Sequence, residues 1–309
     1  MIINGKTIAT VLLSAFFICA CSEDTENNSF ANQENKNANP SVIPYSTNLE
    51  IPKLDGGNGD FYIHETNYNG KNILNYCLEW HPKQKHSRWV AFTFTKTNSA
   101  KNWNRNNWKE GIYWDGQVWN YDPFQPDRKI PTGERSELSD FRGSGYDRGH
   151  LCASEDRVFS MDANGQTFYL SNMSPQIGTF NQDNWVDLEN QVRTWGRNDS
   201  FRDTLYVVKG GTISDGQTKG KIGSGVVIPK YYFMALLCKK YTGGQNTYKA
   251  IGFWMEHKAY YPTPKLSSWA ISIDELEKKT GIDFFCNLPD RIENPIEKTF
   301  SLESWPGLK

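Results

Sequence analysis

The apolar positions change texture several times along the chain. Residues 8–17 form a largely apolar run just after Lys6; it is too short to cross a bilayer and suits the core of an export signal. Residues 22–44 are rich in Asn, Glu and Ser and poor in apolar positions, which predicts a flexible tether. From Tyr45 the pattern becomes globular. Residues 74–80 alternate, and residues 88–94 are β-branched and aromatic, so both predict strands. Residues 97–135 read as loop, with many Asn, Trp and Pro, and residues 167–171 as a short strand. Trp185, Leu188, Val192 and Trp195 recur at helical spacing and predict a helix over residues 182–195. Residues 205–211 predict a buried strand ending at glycines. Further strands are expected at 225–229, 231–238 and 250–255, with Gly243-Gly244 as a hairpin turn. Ser272 or Asp274 caps a late helix that Gly281 ends. No repeat and no second compositional regime follows residue 45. The expected organisation is an export signal (1–20), a tether (21–44) and one α+β domain (45–309).

Composition narrows the function. Apolar residues make up 38% of the 309 positions and aromatics 14%, enough for a sizeable core. The net charge is −1, and removing residues 1–20 takes away Lys6 and no acid, giving −2. A broadly basic polyanion binder is thereby excluded, and any nucleic-acid contact must be a local patch. Residues 81–110 hold seven Lys/Arg against Glu110, with Trp89, Trp103 and Trp108 interleaved. That stretch is a candidate polyanion surface with aromatic stacking, or else a solvated loop-rich face. Outside the leader, Cys77, Cys152, Cys238 and Cys286 form no CxxC pair, and an oxidising compartment allows one or two disulfides among them. Cys152 reads as a buried neighbour of His150, not as a nucleophile. His81 and His86 are five apart in a basic polar stretch and read as surface histidines, not a zinc pair.

The chemistry concentrates in Gly145-Tyr146-Asp147-Arg148-Gly149-His150. A neutral imidazole can take a proton from water, a guanidinium can hold phosphate, and Gly143, Gly145 and Gly149 let backbone approach a bulky anion. Downstream, Asn181, Glu189 and Arg193 are separated by multiples of four and share one broad side of the predicted helix. Their oxygen donors suit a hard ion such as Mg²⁺; Glu189 and Arg193 also fit a plain helix ion pair.

The stretch from about residue 135 to 195 resembles the DNA/RNA non-specific endonucleases, the Serratia-type and endonuclease G group of His-Me finger (ββα-metal) nucleases. Asp147-Arg148-Gly149-His150 matches the family's DRGH signature. The second block includes Asn172-Met173-Ser174-Pro175-Gln176, Asn181, Trp185, Leu188-Glu189 and Arg193. A weaker likeness runs through Phe124-Gln125-Pro126-Asp127 and on to about Trp305. The resemblance implies an α+β fold with a central mixed or antiparallel sheet flanked by helices. It implies His150 as general base, Asn181 as the direct ligand of Mg²⁺ (Mn²⁺ as the alternative), Glu189 holding metal-bound waters, Arg148 and Arg193 on the phosphate, Asn172 as support and Asp147 as a structural partner. Some members carry an arginine before the Pro-Asp; here Asn120 stands nearby, and Arg128 or Arg105 are the candidates to replace it at the substrate. The implied reaction is metal-assisted hydrolysis of DNA and/or RNA to 5′-phosphate products with little sequence preference. Homodimers occur in the family. The alternatives are a surface nucleic-acid-binding lipoprotein without catalysis and a phosphodiesterase for small nucleotides.

Ile18-Cys19-Ala20-Cys21 resembles a bacterial lipobox, which implies a lipidated Cys21 and membrane contact through that lipid alone. Ser22-Glu23-Asp24-Thr25-Glu26 resembles the acidic stretch of some Bacteroidetes surface lipoproteins. Together they imply an exported outer-membrane lipoprotein, with a surface-exposed, periplasmic or secreted location as the range.

Overall fold

Side chains alternate across a strand, so a strand that is apolar at every position must be buried on both faces. The central strands here are of that kind. The computed structural model describes residues 35–308. Its strands are β1 (Asp60–Tyr68), β2 (Lys71–His81), β3 (His86–Thr95), β4 (Ile112–Trp114), β5 (Gln117–Trp119), β6 (Asp147–His150) and β7 (Met173–Gln176), then β8 (Thr204–Gly211), β9 (Thr218–Ile222), β10 (Val226–Pro229), β11 (Tyr231–Thr242), β12 (Gln245–Glu256) and β13 (Ala270–Ile271). The helices are α1 (Leu138–Phe141), α2 (Met161–Gln166), α3 (Val186–Gly196), α4 (Ile273–Thr280) and α5 (Asp290–Lys298).

Seven strands form one sheet in the order β1-β2-β3-β8-β11-β12-β13, and each neighbouring pair is antiparallel. The alternation divides its side chains cleanly. Tyr76, Leu78 and Trp80, with Val90, Phe92 and Phe94 and with Leu205 and Val207, face a core shared with Trp185, Leu188, Val192 and Trp195. The intervening Cys77, Trp89, Ala91 and Val208 face a second core with Ile273 and Leu276 of α4. The sheet is therefore the middle layer, with α3 on one side and α4 on the other. On the α3 side, β6 and β7 pair antiparallel with Asp147 opposite Gln176 and His150 opposite Met173. A π-helical turn at Phe180–Trp185 then leads into α3, completing a ββα unit.

Several expectations need correction. The strand expected at 167–171 is a 3₁₀ turn at Leu170–Asn172, and the strand begins at Met173. The cause is Asn172, whose amide donates to the Cys152 and Thr167 carbonyls and accepts from the Cys152 N–H, replacing a ladder with side-chain bonds. The expected tether stops short of residue 44. Asn35 Nδ2 donates to the Cys286 and Leu288 carbonyls, and Asn39 Nδ2 donates to those of Ser46 and Pro52. The 97–135 stretch is no bare loop: Trp108, Trp114 and Trp119 bury with Phe168 in a core of their own, and Trp103 packs edge-on to Trp108 at 5.3 Å. Trp108, Trp114 and Trp119, and Trp89 in the second core, are taken up by packing and offer no stacking surface, while Trp103 is only half-buried. His86 is fully buried, its Nδ1 2.6 Å from the Ser87 carbonyl and its Nε2 2.6 Å from Ser174 Oγ. All four described cysteines are buried free thiols. Cys77 lies in one core layer, Cys152 and Cys238 in the other, with the sheet between them.

Candidate active site

The turn before β6 is built by Gly143 and Gly145, whose φ values of 69° and 79° lie in the left-handed region that favours glycine. Gly149 has a different reason: a Cβ there would sit 2.0 Å from Gln176 Oε1 on the paired strand, so it serves β6–β7 packing and not ligand approach. With β6 fixed, Asp147 accepts from Asn181 Nδ2 at 3.0 Å and from Gln182 Nε2 at 2.8 Å. One carboxylate thus ties the strand to the π-helical turn and turns the Asn181 amide so that its nitrogen is committed and its oxygen is the end left for a ligand.

Asp147, Arg148 and Asn181 line an open cleft of about 600 Å³ together with Arg105, Asp122 and Arg142. Arg105 is held by Asp122 through two bonds of 3.0 and 2.5 Å. The His150 ring packs against Phe124 at 5.7 Å and Phe168 at 5.1 Å. Those same rings carry Arg148 at 3.8 Å and Arg105 at 5.1 Å. His150 Nε2 is buried and has no hydrogen-bond partner among the described residues. Burial, and then the charges of Arg105, Lys209 and Arg148, drive the His150 pKa well below its ordinary 6.5, so the ring is neutral at physiological pH.

Behind the histidine lies a buried ionic cluster. Lys209 Nζ of β8 donates to Glu189 Oε1 at 3.1 Å and to Asp156 Oδ2 at 3.2 Å. Arg193 donates to Asp156 Oδ1 at 2.8 Å and to Asn190 Oδ1 at 2.8 Å. Against the cost of burial, Lys209, Arg193 and Arg157 hold the Asp156 pKa down at about 2. Burial, together with Asp156, raises that of Glu189 despite the lysine.

The sequence-predicted residues therefore separate. Arg148 and Asn181 line the cleft, and His150 packs against Phe124 in its wall without lining it. Glu189 and Arg193 do not line it: they are 6% and 7% exposed and their polar ends are engaged inside. The expectation that Arg193 reaches the phosphate is not matched by a guanidinium bonded to Asp156 and Asn190. Asn172 is fully buried, its side chain engaged in three bonds to backbone. Arg128 is corrected: it is exposed, sits 3.7 Å from Asp115 and does not line the cleft, whereas Arg105 does. Sequence reasoning missed Arg142 as well. It also missed Lys209, although a lysine in the middle of the apolar run Leu205-Tyr206-Val207-Val208-Lys209 signals a buried counter-charge.

A two-strand ribbon ending in histidine, an asparagine-bearing turn and a helix packed on an antiparallel sheet define the His-Me finger class of nucleases. Residues 57–291 match the family model of the DNA/RNA non-specific endonucleases, and the chain belongs to that family. It is 33% identical over 183 residues to nuclease C1 of Cunninghamella echinulata var. echinulata, covering 56% of this chain and 70% of that protein. It is 32% identical over 219 residues to a nuclease of Nostoc sp., covering 67% and 74%. Against a chain in the crystal structure of an EndoG/EndoGI complex the TM-score is 0.60 at 24% identity, covering 82% of this chain and 96% of that one. The protein is a non-specific nuclease, a phosphodiester hydrolase.

Proposed function

We propose that the protein cuts DNA and RNA within the strand, leaves 5′-phosphates and depends on Mg²⁺, with His150 as general base. The observation that carries this reading is the neutral, partnerless His150 Nε2 beside a cleft lined by Arg105, Arg142, Arg148 and Asn181. His150 Nε2 takes a proton from water, the water oxygen forms a bond to phosphorus, and the P–O3′ bond breaks. The 3′-oxygen leaves and gains a proton from solvent. Arg148 and Arg105 hold the non-bridging oxygens, and Phe124 and Phe168 keep the imidazole oriented between them. The donors at the cleft fit a hard divalent ion, because Asp147 leaves the Asn181 oxygen as the free end of the amide and no sulfur or imidazole is among the described residues lining the cleft. Mg²⁺ held at Asn181 would neutralise charge on the phosphate and on the leaving oxygen. Asp156, Lys209, Glu189 and Arg193 fix the π-turn and α3 behind the site. The arginines lining the cleft take the phosphate backbone as the handle.

The test is plasmid and RNA cleavage by the full chain with Mg²⁺, with EDTA, and with His150→Ala. Loss of about 10²–10⁴-fold in the variant is expected for removal of a general base. Cleavage by His150→Ala at the wild-type rate would refute the mechanism. We further propose export and lipidation at Cys21, which lies outside the described residues, as do the export signal and residues 21–34. Labelled palmitate should enter the wild-type chain and not Cys21→Ser.

A further inference from the structure

On the opposite side of the sheet from His150, α4 and α5 enclose a second polar cleft of about 450 Å³. Six carboxylates line it, Asp274, Glu277, Asp283, Asp290, Glu293 and Glu297, against two lysines, Lys36 and Lys278. Carboxylate oxygens of Asp274, Glu277 and Glu297 lie within 4.8 Å of one another. Like charges that close repel unless something neutralises them. Glu297 is only 6% exposed, and its Oε1 is buried without a hydrogen-bond partner. The Asn37 amide shows the same feature: its nitrogen donates to Asp283 Oδ2 and Glu293 Oε1, both at 3.1 Å, while its oxygen is buried and unpartnered. Asn37 and Glu297 both line this one cleft, and each carries a buried oxygen without a partner.

We propose that this cleft is a Ca²⁺ site, with Asp274, Glu277 and Glu297 as carboxylate ligands and the Asn37 oxygen as a further donor. An all-oxygen set from carboxylates and an amide, with no histidine or thiolate in the lining, selects a hard cation. Ca²⁺ suits it better than Mg²⁺, because Ca²⁺ accepts six to eight oxygens in irregular geometry whereas Mg²⁺ demands a near-ideal octahedron. The ion joins three segments: residues 36–37, α4 and α5. Lys36 N already donates to Asp290 Oδ1 at 3.2 Å, and Lys53 Nζ donates to the Asn37 and Ala38 carbonyls at 2.6 and 2.9 Å, so the N-terminal segment is placed for capture. Without a cation, burial and mutual repulsion push Glu277 up to about 8 and Glu297 up to about 10, so protons are the rival occupant.

Calorimetric titration of Ca²⁺ into the EDTA-stripped full chain at neutral pH tests this. One Ca²⁺ should bind wild type and Asn181→Ala alike. Glu297→Gln and Asp274→Asn should each bind at least about ten-fold more weakly, the scale at which even supporting metal partners matter. Gln and Asn match the protonated carboxyls in shape and charge, so the metal-free variants should fold. Trypsin cleavage after Lys36 should slow with Ca²⁺ in wild type and not in Glu297→Gln. Unchanged Ca²⁺ affinity in both carboxylate variants overturns the proposal. So does a wild type that binds no Ca²⁺ yet gains thermal stability as pH falls from about 8 to about 5, an outcome that assigns the cluster to protons. Failure of the nuclease mechanism leaves this test untouched, since its readouts are binding and proteolysis.

Discussion

A histidine that must accept a proton works only while neutral, so its neighbours set the pH range of the enzyme. The His150 pKa is lowered first by burial and next by Arg105. The acid limb of kcat/KM should therefore lie below the ordinary histidine value of 6.5. Removing a positive neighbour makes protonation easier, so Arg105→Ala should move that limb toward higher pH. A pH–rate profile that stays put, or moves toward acid, would sink the electrostatic coupling. Asp147 makes a second prediction. Its carboxylate holds the Asn181 nitrogen, so Asp147→Ala frees the amide to rotate. The Mg²⁺ concentration for half-maximal cleavage should rise about 10–100-fold with the fold intact. At this scale the sequence was partly legible. His150 and Asn181 stood in recognisable blocks; Asn181 lines the cleft, and His150 packs against Phe124 in its wall. Arg105 carries no motif, because it reaches the cleft from a distant 3₁₀ turn (Arg105–Glu110) through its pairing with Asp122. Arg128 misled because proximity to Pro126-Asp127 in sequence is not proximity to the cleft. Asp127 itself is buried, bonded by Ser171 Oγ at 2.6 Å and 3.0 Å from His64.

Elements show why the four-residue spacing of Asn181, Glu189 and Arg193 overstated their common direction. The stretch Phe180–Trp185 is π-helical, and a π turn inserts one residue relative to an α-helix. Glu189 and Arg193 follow α-helical spacing and face Lys209 and Asp156, while Asn181 is turned away toward Asp147 and the cleft. Nothing in an apolar periodicity reports such a bulge, since Trp185, Leu188 and Val192 pack as an α-helix would. Deleting the exposed Asp183 should restore α-helical geometry and swing Asn181 by about 100°. Cleavage should fall about 10²-fold or more, the cost of misplacing one group, with circular dichroism unchanged. Full activity in the deletion would show that the π turn does not position Asn181. The ionic cluster links the same elements. Lys209→Met strands Asp156 and Glu189 in the core, and denaturant unfolding should show a loss of about 3–5 kcal/mol. A loss below about 1 kcal/mol would mean that Arg193 alone satisfies Asp156.

The molecule as a whole joins two ionisable regions on opposite faces of one sheet, and the depressed Asp127, Asp156, His86 and His257 respond to pH oppositely to the raised glutamates of the α4–α5 cleft. The individual strands were readable from their apolar patterns, and the sheet between flanking helices from the family resemblance. The acid cluster was not, because Asn37, Asp274, Glu277 and Glu297 meet only when the N-terminal segment folds across α4 and α5. Against the cost of burial, Asp127 and Asp156 are held at about 2, below their ordinary 3.8, and burial lowers His86 and His257 to about 4 from 6.5. In each case the unfolded chain binds more protons, so these groups stabilise the fold at neutral pH and lose that contribution as pH falls through 6.5 and below. Glu293, Glu277 and Glu297 are raised by burial from 4.5 to about 7, 8 and 10. There the folded state holds more protons, so their contribution is complete below 4.5 and is lost as pH rises through those folded values. The metal-free chain should therefore be most stable in weak acid and weaken steadily from about pH 6 to about pH 9. Ca²⁺ replaces the missing protons, so saturating Ca²⁺ should flatten the alkaline limb and leave the acid limb unchanged. Thermal unfolding across pH, with Ca²⁺ and with EDTA, separates these effects. A Ca²⁺-induced rise that does not grow with pH would mean the ion binds elsewhere, whereas a rise that grows and disappears in Glu297→Gln ties the alkaline limb to the α4–α5 cleft.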